Sequence, residues 1–534
     1  MKPLAVVLAA VAAVFAAGCS SSNNAPSTPP PVTGGFTNAD LNGTYAFSMS
    51  GTDAGANFGA FIARVGSFTA DGSGHITAAL EDVTDAGSLP QLVQFTGGSY
   101  SIQANGRGTL TLLSSTGGLQ LSIALNSGNA GVMIQIDLNA ASSGSFTRQT
   151  PAAFTQTAIA GPYAFDISGT TIPDPADPNA LAAPSSVVGQ INTSGAGNVQ
   201  GGLFDSNDGG SLLSAQVIAA GGTYQMDPAN GANFGRGTID FAGLSFVFYI
   251  VDGSRFKLME DDGKFATFGD ALQQSATVAT QNSGFTGDFT FLIGGATLGT
   301  TSAGPLAEAA AFTADGNGNL GGIALDANNS GAHDAIGGLT TISNAIYDMD
   351  TANAGSGRGT MTFTASGSPN LGTFVFVFYL ISPTQAFIQD TSSGIIGDGT
   401  MFAQTGPFSG ASLAGNFVFN WSGINLGSST NLTFQEDFVG RHSLSNTGAI
   451  AGAVDFVELG SSSQHSPAFL NQALTGTLTL SSSGGVGSND YTVTTGTSPQ
   501  TTFHFKAYIA NPDLILLVGV DSNRTDAGSV SFQP

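Results

Sequence analysis

Hydrophobic and polar residues alternate with a period of two along most of this chain of 534 residues, and amphipathic helical stretches are absent. The pattern is clearest where a segment opens on glycine, any residue and an aromatic: Tyr45, Phe47 and Met49 then fall on one face. Turn signals rich in Gly, Asn, Asp and Ser separate such segments. They predict about eight strands in the first part of the chain, which begin near Gly43, Phe58, His75, Gln91, Gly108, Leu119, Val132 and Gly144.

The same markers recur along the chain and divide it into four units. The glycine-x-aromatic opening stands at 43–45, 161–163, 287–289 and 415–417. Gly-Arg-Gly-Thr stands at 106–109, 235–238 and 357–360, and only Thr475-Gly476-Thr477 remains in the fourth unit. A spacing of about 120 residues is the size of a domain, not of a solenoid repeat. The sequence therefore predicts β domains over 38–150, 157–274, 283–405 and 411–534.

An all-β fold of four tandem antiparallel barrels fits these units best. Eight sequential strands with short turns suit an up-and-down barrel, which closes its own edges. The size, strand count and opening motif resemble the calycin group, which includes lipocalins and avidin-like barrels, although Tyr or Phe replaces the Trp of that group. β-sandwiches are the alternative. The aromatic stripe of the first strand either fills each barrel or lines a ligand cavity.

The N-terminus carries an export signal. Lys2 precedes an apolar run over 4–17, which is too short to span a bilayer and is typical of a signal peptide. The run ends in Ala16-Ala17-Gly18-Cys19, which resembles the lipobox of bacterial lipoproteins. The resemblance implies a signal peptide over 1–18, lipid on Cys19, a disordered tether over 19–37 and, with Ser20 next, an outer-membrane or cell-surface location.

Charge narrows the range of partners. The formal net charge is -24, so the surface repels phosphate backbones and nucleic-acid binding is excluded. Lys and Arg number only 12, yet Arg107, Arg236 and Arg358 occupy one repeated position. Such an Arg either anchors an anionic ligand, because a guanidinium grips carboxylates with two hydrogen bonds, or forms a structural ion pair with an aspartate.

Catalytic and metal-binding motifs do not emerge, and no cofactor is predicted. The five histidines share no repeat position. Asp315 opens a segment similar to a calcium loop, but Leu320 and Asp326 stand where Gly and Glu are needed, so a hairpin is favoured. Trp421 lies on the first-strand stripe and is predicted to be core. Unit four diverges most and holds three of the histidines, so an enzyme site would lie there.

These observations predict a lipid-anchored bacterial surface protein that acts in ligand binding or adhesion. A small hydrophobic or anionic ligand and a surface polymer are the partners considered, besides the membrane itself. A purely structural stalk or layer protein is the alternative, and a secreted carbohydrate-active enzyme is less favoured. The strands at 246–251 and 374–379 are apolar on both faces, which predicts that units two and three pack together through them, with Val375 and Val377 at the junction.

Overall fold

The computed structural model describes residues 35–534, with gaps at 56–58, 86–89, 116, 173–181, 300–302, 337–339, 368–370, 407, 428–433, 460–467, 482–485 and 497–499. The predicted signal peptide, Cys19 and most of the predicted tether lie outside the described residues. Phe36, which the sequence places in the tether, packs into the core of the first unit. In the described part of the chain, no helix combines the length and the apolar character needed to cross a membrane.

Unit 1 is a closed antiparallel barrel. Its strands are β1 Asn42–Asp53, β2 Phe61–Asp71, β3 His75–Asp85, β4 Gln91–Phe95, β5 Gly97–Ile102, β6 Arg107–Ser114, β7 Gly117–Ser127, β8 Ala130–Gln135 and β9 Ala140–Arg148. The sheet runs β2-β1-β9-β8-β7-β6-β5-β3-β4, and the pairing of β2 with β3 closes it. Both β4 and β5 pair with β3, so they are two halves of one fourth strand.

Units 2 and 3 repeat this order. Unit 2 contains β10 Ala160–Thr171, β11 Pro184–Ser194, β12 Asn198–Asp208, β13 Ser211–Ile218, β14 Gly222–Met226, α1 Gly231–Phe234, β15 Arg236–Phe241, β16 Leu244–Asp252, β17 Arg255–Glu260 and β18 Phe265–Gln273. Unit 3 contains β19 Thr286–Leu298, β20 Ala303–Asp315, β21 Leu320–Asn329, β22 Ala332–Ala335, β23 Thr341–Met349, β24 Arg358–Ser366, β25 Gly372–Ser382, β26 Gln385–Asp390 and β27 Ile395–Ala403. In unit 3 an isolated bridge between Asn319 and Ile346 links the two sides of the seam.

Unit 4 is a closed eight-stranded barrel. Its strands are β28 Gly415–Asn425, β29 Phe434–Leu444, β30 Ala449–Glu458, β31 Phe469–Thr479, β32 Asn489–Thr495, β33 Thr502–Asn511, β34 Leu514–Gly519 and β35 Arg524–Gln533. The prediction of an all-β chain with four tandem barrels is therefore confirmed.

The first-strand stripe of each unit forms the barrel core. Tyr45, Phe47 and Met49 are at most 1% exposed and pack with side chains from the rest of unit 1. Trp421 is fully buried, with its ring stacked 4.5 Å from Phe419 and 5.1 Å from Phe438 between ring centroids. The stripe thus packs as core, as predicted for Trp421.

The turn between the second and third strands is built in the same way in each unit. Asp315 Oδ1 accepts the backbone N–H groups of Asn317 and Asn319 at 2.7 and 3.0 Å, which closes the hairpin between β20 and β21. Side-chain oxygens of Asp71, Ser194 and Ser445 do the same in the other units. Asp315 is therefore a hairpin residue, as the sequence favoured.

The four units pack into a closed ring. Separate apolar clusters join unit 1 to unit 2, unit 2 to unit 3, unit 3 to unit 4, and unit 4 back to unit 1. In β25, Val377 and Tyr379 pack on unit 2, as predicted, whereas Val375 is only half-buried. In β16, Val247 packs on unit 1, so the prediction that this strand faces unit 3 is wrong. Each unit turns the same outer face toward the preceding unit, which makes the junctions head-to-tail.

Candidate functional site

Arg236 lies at the junction of units 1 and 2. At the start of β15, its Nε and Nη2 donate to the two carboxylate oxygens of Asp82 in unit 1, at 2.8 and 2.7 Å. Tyr249 donates its hydroxyl to the same carboxylate at 2.6 Å, and Arg236 Nη1 donates to Asp227 of its own unit at 2.6 Å. Burial and the nearby charge of Asp82 raise the pKa of Tyr249, so its hydroxyl stays protonated and donates.

Arg358 forms the same arrangement at the junction of units 2 and 3. Its Nε and Nη2 donate to Asp205 of unit 2 at 2.8 and 2.7 Å, and Tyr379 donates to Asp205 Oδ2 at 2.7 Å. Asp350 of unit 3 accepts from Nη1 at 3.3 Å. Burial alone would lower the pKa of Arg358, but the hydrogen bonds and charge of Asp205 raise it, so the guanidinium remains charged.

The third Arg closes the ring. Arg107 Nη2 donates to Asp455 of unit 4, and Ser122 donates to the other carboxylate oxygen at 2.5 Å. In the other two units, the residue paired with the Arg in the sheet is a tyrosine, Tyr249 or Tyr379. In unit 1 the residue paired with Arg107 is Ala124, so no phenol donates to the aspartate at this junction. All three predicted arginines therefore contact an aspartate of the preceding unit.

The junction of units 3 and 4 has the aspartate of the other junctions but lacks their Arg. Asp326 of unit 3 accepts from Tyr508 at 2.7 Å and from Ser488 at 2.6 Å, both in unit 4. Its other oxygen lies 2.8 Å from His333 Nε2. Burial alone would raise the pKa of Asp326, but these hydrogen bonds lower it, so the carboxylate stays ionised in the junction.

A repeated glutamine, which the sequence analysis missed, reinforces the ring. The side-chain amide at the end of each unit donates to backbone carbonyls of the next unit; these residues are Gln149, Gln274, Gln404 and Gln533. Gln533 donates to Asn105 and Leu125 of unit 1 at 3.1 and 2.7 Å, so the C-terminal strand completes the ring. The regular spacing of the four glutamines was a signal available in the sequence.

Charged residues lie inside barrel 4 at the end where β28 leads into β29. The sheet register places Glu436 and Asp526 on either side of Gly423, and Glu458 opposite Glu436. Arg524 lies at the same end, and we call these four charged residues the acidic mouth. Glu436 and Asp526 are fully buried and Arg524 is 5% exposed. A Cβ on Gly423 would lie 2.0 Å from Asp526 Oδ1, so glycine is needed for the carboxylate to fit.

Glu436 and Asp526 hydrogen-bond to each other through their carboxyl groups, whereas two nitrogens of Arg524 have no hydrogen-bond partner among the described residues. These nitrogens are Nε and Nη1. The ion-pair contact from Arg524 Nη1 to Glu436 Oε1 is 3.5 Å, which is long for a hydrogen bond. The guanidinium carbon of Arg524 lies 4.3 Å from the ring centroid of Phe503, within cation–π range.

Burial shifts the titration of these groups. It raises the pKa of Glu436 well above its usual value, and the nearby charge of Asp526 raises it further. Burial also raises the pKa of Asp526 to about 6, against the lowering influence of Arg524, and that of Glu458 to about 7. At neutral pH the mouth therefore holds a protonated Glu436 beside the opposite charges of Asp526 and Arg524.

The aspartate opposite the first-strand glycine is particular to unit 4, although the other barrels also hold buried carboxyl groups inside. At the position opposite the first-strand glycine, where unit 4 has Asp526, the other units have Ser142, Thr267 and Gly397. The histidines of unit 4 do not join the acidic mouth. His442 is buried beside Tyr491, 2.9 Å from its hydroxyl, and burial lowers its pKa to about 4. The half-exposed His504 pairs with Asp521, and His465 lies outside the described residues.

Comparisons with known proteins find low similarity. No protein-family model and no curated protein sequence matches the chain. Among solved structures, a mutant transferrin binding protein B from Haemophilus parasuis aligns at 10% identity over 75% of this chain and 82% of its own, with a TM-score of 0.20. The isotype 1 transferrin binding protein B from serogroup B Neisseria meningitidis aligns at 10% identity over 76% of this chain and 84% of its own, with a TM-score of 0.21. A protein of unknown function from Nostoc punctiforme aligns at 12% identity over 43% of this chain and 95% of its own, with a TM-score of 0.12. These TM-scores do not establish a shared fold. The class of the protein is therefore defined by its own structure, a closed ring of four β-barrels.

Proposed function

We propose that this chain is a lipid-anchored bacterial envelope protein that binds a small molecule in the mouth of barrel 4. The observation that carries the proposal is the buried guanidinium of Arg524, whose Nε and Nη1 have no hydrogen-bond partner among the described residues although they lie beside the carboxyl pair of Glu436 and Asp526. Each such atom costs about 1–3 kcal/mol if nothing hydrogen-bonds to it. A bound molecule that supplies the missing partners accounts for their retention inside a barrel that could have been filled with apolar side chains.

The junctions support a rigid carrier for this site. In our proposal, the hydrogen bonds of Arg107, Arg236 and Arg358 to aspartates serve to hold the ring together rather than to bind an anion. A structural layer protein is the second candidate, and the closed ring with four packed junctions favours it over a flexible stalk. The lipid on Cys19 would tether either kind of protein to the envelope.

Native mass spectrometry of the full chain, recovered from cells without denaturation, tests the proposal. We expect a reproducible extra mass that leaves on unfolding and is missing from Asp526→Asn. The matched control is Glu260→Gln, which changes a buried interior carboxyl of barrel 2 and should leave the extra mass in place. A clean apo mass for the wild type across several preparations would favour the structural layer. Separately, Cys19→Ser should abolish incorporation of labelled fatty acid.

A further inference from the structure

β13, the first half of the fourth strand of unit 2, has one edge without a partner. It is the outermost strand of its sheet and pairs with β12 alone. An edge strand turns the N–H and C=O groups of every second residue away from its sheet, where a further strand can pair with them. Among the described residues no strand lies on that side of β13, which we call its free edge.

The side chains of β13 do not protect this free edge. Natural edge strands are usually short, or they carry charged residues or proline. β13 has eight residues, and none of them is charged or a proline. Leu212, Leu213 and Val217 are 45%, 48% and 74% exposed. By comparison, β22 in unit 3 has four residues and contains His333 and Asp334, so that edge is both shorter and charged.

A bulge fixes β13 to the junction of units 2 and 3. Ala215, with a φ of 50°, lies where the register with β12 shifts, and it donates its N–H to Asp205 at 3.1 Å. Ser214 donates its hydroxyl to the same carboxylate at 2.9 Å and accepts from Arg358 of unit 3 at 3.0 Å. The free edge is therefore held in place before any partner binds, which lowers the entropic cost of adding a strand.

Charge indicates what kind of strand fits the free edge. Asp208 lies opposite Ser211 at the start of β13, and among the described residues its carboxylate accepts from Ser185 but from no Lys or Arg. The chain carries a formal net charge of -24, so two copies repel each other. The N-terminal segment is a poor donor, because Pro26 and the prolines at 29–31 have no N–H to give to a sheet. A strand from another protein with a basic residue at its end is the complementary partner.

We infer that the free edge of β13 binds an extended strand of a second protein, with alternating apolar side chains and a basic residue at the end that meets Asp208. The backbone of that strand pairs with β13, and its apolar side chains cover Leu212, Leu213 and Val217. The free edge belongs to unit 2 and the acidic mouth to unit 4, so this interaction goes beyond the proposed small-molecule binding and does not depend on it.

A fluorescein-labelled peptide, Lys-Thr-Val-Thr-Val-Thr-Val-Lys, tests the inference on the full-length protein. We expect a saturable rise in fluorescence anisotropy, and hydrogen exchange measured by mass spectrometry should slow in β13. The affinity should fall at least tenfold when the middle valine of the peptide is replaced by proline, which cannot donate to a sheet, and when both lysines are replaced by glutamate.

Two variants of the protein locate the binding. Val217→Lys places a positive charge on the free edge and should weaken binding of the lysine-flanked peptide at least tenfold. The matched control is Leu138→Lys, which changes a leucine that is 60% exposed in the turn between β8 and β9 and should leave the affinity unchanged. Both side chains point to solvent, and the melting temperature of each variant checks that the ring has folded.

Three results would overturn the inference. The first is that none of the peptides binds, and the second is that binding slows hydrogen exchange in another segment but not in β13. The third comes from light scattering of the protein without peptide. A dimer that Val217→Lys dissociates would show that a second copy of the chain, and not a strand of another protein, occupies the free edge.

Discussion

Replacing Asp205 by alanine should open the junction between units 2 and 3. Asp205 accepts from Arg358 and Tyr379 of unit 3, and within unit 2 from the hydroxyl of Ser214 at 2.9 Å and the backbone N–H of Ala215 at 3.1 Å. The substitution therefore leaves the phenol without its acceptor, and it leaves the guanidinium only its longer contact with Asp350 and its hydrogen bond to the Ser214 hydroxyl. The guanidinium side chain is only 9% exposed, so water cannot fully replace the carboxylate.

The magnitude follows from the burial of the pair. Breaking a buried ion pair by removing one partner costs about 3–5 kcal/mol. That cost is a change of roughly 2–3.5 orders of magnitude in the equilibrium for opening the junction. Hydrogen exchange measured by mass spectrometry gives this quantity for separate segments, which suits a multidomain ring better than a single melting curve. Protection should fall in β12, β13 and β25.

Two further variants make the test specific. Asp490→Ala removes an ion pair with Lys506 in which the aspartate side chain is 66% exposed, and it should cost less than about 1 kcal/mol. Asp205→Leu combined with Arg358→Met replaces the pair by apolar groups, and it should recover most of the lost protection. If Asp205→Ala changed protection no more than Asp490→Ala does, the aspartate–arginine contacts would not hold the ring and the reasoning would be refuted.

Three other predictions concern the junctions and the buried acids. Val377→Asn should destabilise the junction of units 2 and 3 by about 2–4 kcal/mol, because Val377 is 1% exposed in the apolar cluster between them. Val375→Asn in the same strand should have a much smaller effect, and equal changes in hydrogen exchange for the two variants would contradict this prediction. Gln533→Ala removes two hydrogen bonds to unit 1 and should increase exchange at the start of β6 and in β7, with no change in β15 and β16. Burial raises the pKa of Glu260 to about 10, above its ordinary 4.5, so the stability that its protonated form contributes is complete at low pH and is lost as the pH rises toward 10. The free energy of unfolding of Glu260→Gln, measured by urea denaturation, should therefore equal that of the wild type at pH 4 and exceed it by a growing margin up to pH 9. A difference that stays constant across that range would contradict this prediction.

The strands and the repeat could be predicted because they depend on local pattern. The alternation of Tyr45, Phe47 and Met49 fixes which face of the first strand enters the core, and a shift of one residue would expose all three. Turn chemistry is equally local, since Asp315 closes its hairpin through residues at most four positions away. These two signals recur in each unit, so the architecture of four barrels follows from the sequence.

The ring could not be predicted because its contacts are between residues far apart in the chain. Arg236 meets Asp82 over 154 positions and Arg107 meets Asp455 over 348, and nothing in the local pattern selects these partners. The sequence did indicate that the strand containing Val377 is covered on both faces. It could not tell which neighbour covers it, since the outer face of a barrel strand is apolar in the same way whichever unit docks there. The acidic mouth could not be predicted for the same reason, because Glu436 and Asp526 are brought together only by the register of β28 with β29 and β35.

Closure of the ring also explains how unit 4 can hold buried charges. A head-to-tail interface repeated along a chain either closes or continues into a filament, and here the fourth junction closes because Gln533 and Asp455 meet unit 1. Unit 4 is therefore supported by a packed junction on each side, one to unit 3 and one to unit 1. Buried polar groups without partners destabilise the barrel that contains them, and these junctions offset that cost. If the junctions do so, weakening the contact of Arg107 with Asp455 should reduce ligand affinity in barrel 4 as well as opening the ring.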